Sequence, residues 1–266
     1  MGEIIRRALS SDIERLRTLW DECFPDDTAY ADFFFENIFK LNSAVVFEKN
    51  GEVCGMIHVF PRIIATPQGE MSAKYIYGVG TDKKYRGLGI AGKLLESEAK
   101  DCDMLVLIPA NEGLFEFYKK YGFEEICEVG KFIAKPLGTV DVRRAEYRDI
   151  PFINEVYQKC CHGGVFAKRD EATWKLLFSE YEFFGGGFLV FPGGYCAHYE
   201  HEGKLFISEF FSEDAPASSV AGALGREVEV TTRGCGKKLS VVRPISDKAE
   251  KMLSETVDRY INLMHN

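Results

Sequence analysis

Between the extended run Tyr75-Ile76-Tyr77-Gly78-Val79-Gly80-Thr81 and the helix-like run Lys93-Leu94-Leu95-Glu96 stands Arg86-Gly87-Leu88-Gly89-Ile90-Ala91-Gly92. Glycines adopt positive φ values that other residues resist, so consecutive backbone N–H groups can turn toward one ligand. The free N–H groups of a helix's first turn, at the positive end of its dipole, then hold an anion, and Arg86 adds charge at the mouth. By residue chemistry alone this is an anion site. A P-loop would end in Gly-Lys-Ser/Thr, which is absent. Gly87-x-Gly89-x-x-Gly92 matches the dinucleotide pattern in letters but stands in an antiparallel-looking context.

A second group follows in Asn111-Glu112-Gly113-Leu114-Phe115-Glu116-Phe117-Tyr118-Lys119-Lys120-Tyr121-Gly122-Phe123. Its apolar positions have helical spacing, which puts Tyr118 on the inward face with Phe115 and Tyr121. A phenol there either packs a core or protonates a leaving group within hydrogen-bond reach. His58, Glu70 and Glu112 are the side chains that could relay a proton through water, although a lone histidine in a strand is more often a packed or exposed one.

The two groups together resemble the GNAT family of N-acetyltransferases, over roughly residues 3–135. Its signature, Arg/Gln-x-x-Gly-x-Gly/Ala, is here Arg86-Gly87-Leu88-Gly89-Ile90-Ala91, and its Asn, Tyr and Gly-Phe element is here Asn111, Tyr118 and Gly122-Phe123. The resemblance implies an α/β fold with a mixed sheet and acetyl-CoA as acyl donor, with no metal. CoA would lie in a splay between the strands at 75–81 and 104–108. The backbone of Val79 and Thr81 would pair with the pantetheine arm, and Leu88, Gly89, Ile90 and Ala91 would take the pyrophosphate beside Arg86 and Gly87. Asn111 would hold the arm from the other side, and Tyr118 would protonate the departing thiolate. Many members carry a glutamate on the fourth strand where Tyr75 stands here, so no side-chain base is assigned. The implied acceptor is a primary amine on a small molecule or peptide, of a kind the motifs do not specify. A non-catalytic CoA-binding sensor is the alternative, motivated by that missing glutamate and by an eroded second half of the chain.

The elements that must position these groups read as strand 3–8, helix 11–23, helix 29–40, a hairpin over 44–60 with an Asn50-Gly51 turn, strand 70–82, helix 90–101, strand 104–108, helix 112–121 and strands 123–135. Much of this order recurs. Arg6-Arg7-Ala8 with Asp12-Ile13 is repeated as Arg143-Arg144-Ala145 with Asp149-Ile150, and Cys23 falls on Cys160 at the same offset. The hairpin returns as Phe188 to Ala197, and Val106-Leu107-Ile108-Pro109 is matched to Val241-Val242-Arg243-Pro244. We therefore expect two tandem GNAT-like domains, 1–138 catalytic and 139–266 degenerate. The second copy offers Pro216-Ala217-Ser218-Ser219 where the first has Arg86 to Gly89, without the guanidinium or the two glycines. Its expected use is to shape the acceptor cleft.

The 266 residues are comfortable for two domains, and 46% hydrophobic with 28% charged residues describes ordinary globular cores. A net charge of −8 argues against nucleic acid as the main partner, because phosphate binding wants a basic face. The eight cysteines are scattered, with no C-x-x-C pair, and Cys160-Cys161-His162 lacks a second ligand pair for a metal. Arg6 stands where a myristoylation motif at Gly2 needs Ser or Thr, and the start lacks a signal peptide's apolar run. No stretch approaches the ~20 apolar residues of a membrane span, so a cytoplasmic protein with reduced thiols is the expectation.

Overall fold

A computed structural model describes residues 2–25, 28–256 and 258–263. In chain order the first half contains β1 (Glu3–Arg7), α1 (Ile13–Cys23), α2 (Thr28–Phe33), β2 (Ala44–Lys49), β3 (Glu52–Thr66), β4 (Gly69–Thr81), α3 (Ile90–Glu98), β5 (Met104–Leu107), α4 (Glu112–Lys119) and β6 (Glu124–Ala134). The second half contains β7 (Arg143–Arg144), α5 (Ile150–Cys161), β8 (Val165–Ala167), α6 (Glu171–Phe183), β9 (Gly187–Phe191), β10 (Gly194–His201), β11 (Lys204–Ser212), α7 (Ala217–Leu224), β12 (Val228–Arg233), β13 (Lys237–Pro244), α8 (Asp247–Glu255) and β14 (Arg259–Tyr260). Among the described residues no helix is long and apolar enough to cross a membrane.

These elements form two compact units that no single cut in the chain separates. The first comprises 1–64, 69–125 and 241–255, and the second 65–68, 126–240 and 256–266. The sequence places the boundary at 138, but the spatial division moves most of β6 into the second unit and the end of β13, with α8, into the first. This exchange also corrects the match of Val106–Pro109 to Val241–Pro244. Val241 to Pro244 pair antiparallel with Leu107 to Met104, so they are the neighbour of β5 rather than its copy. The topological counterpart of β5 is β12, which runs parallel to β11 as β5 runs parallel to β4. Only Gly234-Cys235-Gly236 joins β12 to β13, so the second copy has no helix in the place of α4.

In the first unit the strand order is β1-β2-β3-β4-β5 and then β13. Asn50 and Gly51 turn the β2–β3 hairpin with φ values of 55° and 83°, as an Asn-Gly hairpin requires. Ile90, Leu94 and Leu95 of α3 pack with Phe47, Ile57 and Leu105 from the strands, with Phe115 and Tyr118 of α4 in the same core. Gly55 lets α3 approach closely: a Cβ there would stand 2.5 Å from Ile90 Cγ2. The helix expected over 29–40 ends earlier, because α2 gives way at Phe34–Ile38 to a π-helical turn. Phe33-Phe34-Phe35 cannot share one inward face at 3.6 residues per turn, and the widened turn buries Phe34 and Ile38 while Phe35 stays half-buried.

The second unit orders β6-β12-β11-β10-β9-β7, with Trp174, Tyr157, Phe188 and Tyr195 at the centre of its main core. The repeat extends to side-chain detail. Arg6 grips Asp12 with two bonds of 2.6 and 3.1 Å, and Arg143 grips Asp149 with two of 2.7 and 2.6 Å. In each copy that aspartate also accepts the backbone N–H three residues upstream, from Leu9 or Glu146, and so caps the turn that starts the helix.

Candidate active site

Two neighbouring parallel strands that part leave backbone groups facing a gap, and β4 and β5 do this. Their pairing covers only Ala73↔Met104, Lys74↔Leu105 and Tyr75↔Val106. Beyond Tyr75 the rest of β4 runs on through Gly78, whose φ of 56° marks a break in the regular strand. At its end Asp82 accepts the Lys84 N–H at 2.8 Å and holds Arg15, which fixes the start of the turn. The carboxyl of Asp82 sits below its ordinary range because the Lys84 N–H and Arg15 outweigh the opposing effect of burial.

The turn then delivers the two glycines in the left-handed region, Gly87 at φ 81° and Gly89 at φ 72°, with Gly89 capping α3. Nothing lies within 4 Å of where a Cβ on either would stand, so both face open space. Gly92 differs: a Cβ there would stand 2.3 Å from the Tyr121 ring, so this glycine serves a close helix contact. Leu88 is exposed, and the first-turn N–H groups of α3 lack intrahelical acceptors. Arg86 is exposed too, and its Nε donates to the Thr81 carbonyl at 3.1 Å while a terminal nitrogen lies 3.9 Å from Cys23 Sγ. Cys23 also donates to that carbonyl, at 3.6 Å, so the Thr81 C=O is already engaged.

Across the gap Asn111 caps α4, its side-chain oxygen accepting the Leu114 N–H at 3.2 Å. Tyr118 lies one face down the same helix, buried, with its ring against Phe117 and Phe123. Burial holds its phenol above the ordinary range, so it stays protonated at neutral pH. No hydrogen bond among the described residues uses its hydroxyl, which leaves that proton for another partner. The ring belongs to the core and the hydroxyl does not depend on it.

A family model described as an acetyltransferase (GNAT) domain matches residues 4–126. That segment belongs to the GNAT family. The fold likeness runs past the GNAT segment into the rest of the chain. A conserved protein of Enterococcus faecalis V583 superposes with a TM-score of 0.75 at 14% identity, covering 94% of this chain and 74% of its own. A GCN5-related N-acetyltransferase of Anabaena variabilis gives 0.74 at 18%, covering 92% and 73%, and Eis1 of Mycobacterium abscessus gives 0.64 at 13%, covering 92% and 74%. At these identities what is shared is the fold. No curated protein matches the chain by sequence.

The GNAT domain carries one feature that sequence reasoning did not assemble. His58, a candidate proton relay by residue type, is fully buried and touches Phe34 and Phe39, with ring centroids 4.9 and 5.8 Å away. Burial pushes its imidazole down to about 3, so it is neutral, with one ring N–H, and takes no second proton at working pH. Trp20 stacks on Phe34 at 4.3 Å, and Tyr77 closes the group at 6.0 Å from Trp20. Helical spacing of Trp20 with Leu16 and Leu19 signals burial, but nothing in the sequence announces that α1, the π-helical turn, β3 and β4 bring these rings together.

In the second unit the parallel pairing of β11 with β12 covers Phe206↔Glu229 and Ile207↔Val230, but the turn that follows β11 differs. Four residues separate β11 from α7, with Pro216 at the helix cap, in place of the eight-residue turn of the GNAT domain. Thr232 Oγ1 donates to the Phe210 carbonyl at 3.0 Å and ties β12 back to β11. In the core, Glu209 accepts two bonds from Arg169 and one each from Tyr195 and Tyr260, all between 2.7 and 2.8 Å.

Proposed function

We propose that the GNAT domain transfers an acetyl group from acetyl-CoA to a primary amine of a small molecule or peptide. The observation that carries the reading is the parting of β4 from β5 beyond Tyr75, beside a helix start opened by Gly87 and Gly89. The open space before both glycines fits a pyrophosphate on the amides of Leu88 to Ala91, with Arg86 supplying charge. Val79 and the Thr81 N–H hold the pantetheine arm along β4, and the amide nitrogen of Asn111 meets it from α4.

The chemistry asks little more of the protein. The amine nitrogen bonds to the acetyl carbon as the carbon–sulfur bond breaks, and Tyr118 gives its hydroxyl proton to the sulfur. The phenolate so formed recovers a proton from the acylated nitrogen through water, and its raised affinity for protons favours that return. His58, held neutral, is not the destination of that proton. Thiol release from acetyl-CoA, followed with a broad panel of primary amines, tests the reading: release with an amine supports it. Calorimetric binding of acetyl-CoA without release for any amine makes the chain a CoA-binding sensor instead.

A further inference from the structure

The GNAT domain's aromatic nest has features that a plain core does not need. Trp20, Phe34 and His58 form a buried floor, while Phe35, Phe39 and Tyr77 are half-buried around it. The floor reaches β4 at Gly78, where a Cβ would stand 2.9 Å from the Trp20 ring and 3.0 Å from His58 Cδ2. Three buried ring nitrogens, Trp20 Nε1 and both of His58, have no hydrogen-bond partner among the described residues. Buried polar atoms are normally paired, so an indole donor and a neutral imidazole acceptor in one nest call for a polar group from outside the protein.

Charge narrows what that group is attached to. The buried carboxylates of this unit among the described residues are Asp12, Asp82 and Glu98, and each is paired: with Arg6, with Arg15, and with Lys74 and Arg7. At the rim the Arg17 guanidinium lies 4.9 Å over the Phe35 ring and pairs with Asp32. Among the described residues, the other acidic side chains nearest in sequence are Asp21 and Glu36, which are exposed, and Glu22, which is paired with Arg15; Asp26 and Asp27 lie outside the described residues. A polycation would need several free carboxylates, whereas rings and neutral ring nitrogens suit an apolar body with one polar substituent.

We infer that this nest is the acceptor subsite and that it selects a primary amine carried on an aromatic ring bearing a hydroxyl, over polyamines and aminoglycosides. The inference rests on the placement of the acyl donor at Val79 and Thr81, directly after Gly78. The ring lies among Phe35, Phe39 and Tyr77, its hydroxyl accepts from Trp20 Nε1 and donates to His58, and the amine reaches β4.

The test measures thiol release by the full chain with tyramine, phenethylamine, spermidine and kanamycin, together with emission of a Trp174→Phe variant in which Trp20 is the remaining tryptophan. Tyramine should give the highest kcat/KM, exceeding phenethylamine by about tenfold. Trp20→Phe should erase that difference, and Phe39→Ala should raise KM for both ring amines without changing acetyl-CoA affinity. Tyramine should also shift the Trp20 emission, and spermidine should not. Preference for spermidine or kanamycin, or ring amines unaffected by both substitutions, overturns the inference while the acetyl transfer stands. A Trp20 emission shift with tyramine but no thiol release with any amine keeps the binding site and overturns the acetyl transfer.

Discussion

Three glycines in one short motif hold their places for two different reasons, and substitution separates them. Gly89 has φ 72° and open space before it, so Gly89→Asp costs about 1 kcal/mol of backbone strain yet sets a carboxylate where an anion would bind. Calorimetry should find acetyl-CoA binding lost and the fold intact. Gly92→Ala should do the reverse, pressing a methyl into Tyr121 at a cost of about 1–3 kcal/mol, with a lower Tm and acetyl-CoA affinity nearly unchanged. Tyr118→Phe keeps the ring packing and removes the acid. It should lower kcat by about 100-fold or more with little change in KM for acetyl-CoA; an unchanged kcat when chemistry limits the rate would return Tyr118 to the core. The motif residues were legible in the sequence because each works through backbone conformation or a local helix face. The nest of Trp20, Phe34 and His58 was not, since its members come from α1, the π-helical turn and β3.

At the scale of elements, the paired Arg6–Asp12 and Arg143–Asp149 clamps give the clearest link from sequence to structure. An i, i+6 arginine and aspartate flanking a helix start recur at one offset, and both fold into the same cap. Asp12 and Asp149 have carboxyls held below the ordinary range, first by the arginine bond, Asp149 at about 2. A lowered folded-state value means stability that is fully present above the unfolded carboxylate range near 4 and is lost as pH falls toward 2. Asp12→Asn and Asp149→Asn should each cost about 1 kcal/mol at pH 7, allowing for solvent screening, and a difference that shrinks on acidification would confirm the ionic part. The Asn50-Gly51 hairpin and the strand and helix order of the GNAT segment were likewise legible. The π-helical turn was not, because three adjacent phenylalanines fit a helical pattern whose register only tertiary burial decides.

The two-copy arrangement is visible in the sequence, but the exchange of strands is not, because Val241 to Pro244 resemble any buried strand and carry no mark of their neighbour. Its consequence is testable. Residues 241–255 bring Val241, Val242, Ala249, Met252 and Leu253 into the GNAT unit's interior, and Ser246 bonds Asp103 at 2.8 Å. A fragment of residues 1–138 lacks all of this and exposes the edge of β5. It should melt without cooperativity, and a peptide spanning 239–256 should restore a cooperative transition; a fragment that folds alone would show the exchange to be dispensable. On the full chain, calorimetry should count one acetyl-CoA per molecule, since Pro216 and the tie from Thr232 to Phe210 leave the second unit without a comparable cradle.

The same exchange sets a schedule for synthesis. A chain made from its N-terminus would leave β5 without its antiparallel neighbour until Val241 has been translated, which at about 5–20 residues per second is a wait on the order of ten seconds. During that interval a strand of four buried residues, Met104 to Leu107, has one side unpaired. The newborn chain is therefore exposed to aggregation and to chaperones until residues 241–255 have been made, and their arrival, rather than completion of the first half, is what lets the GNAT domain close.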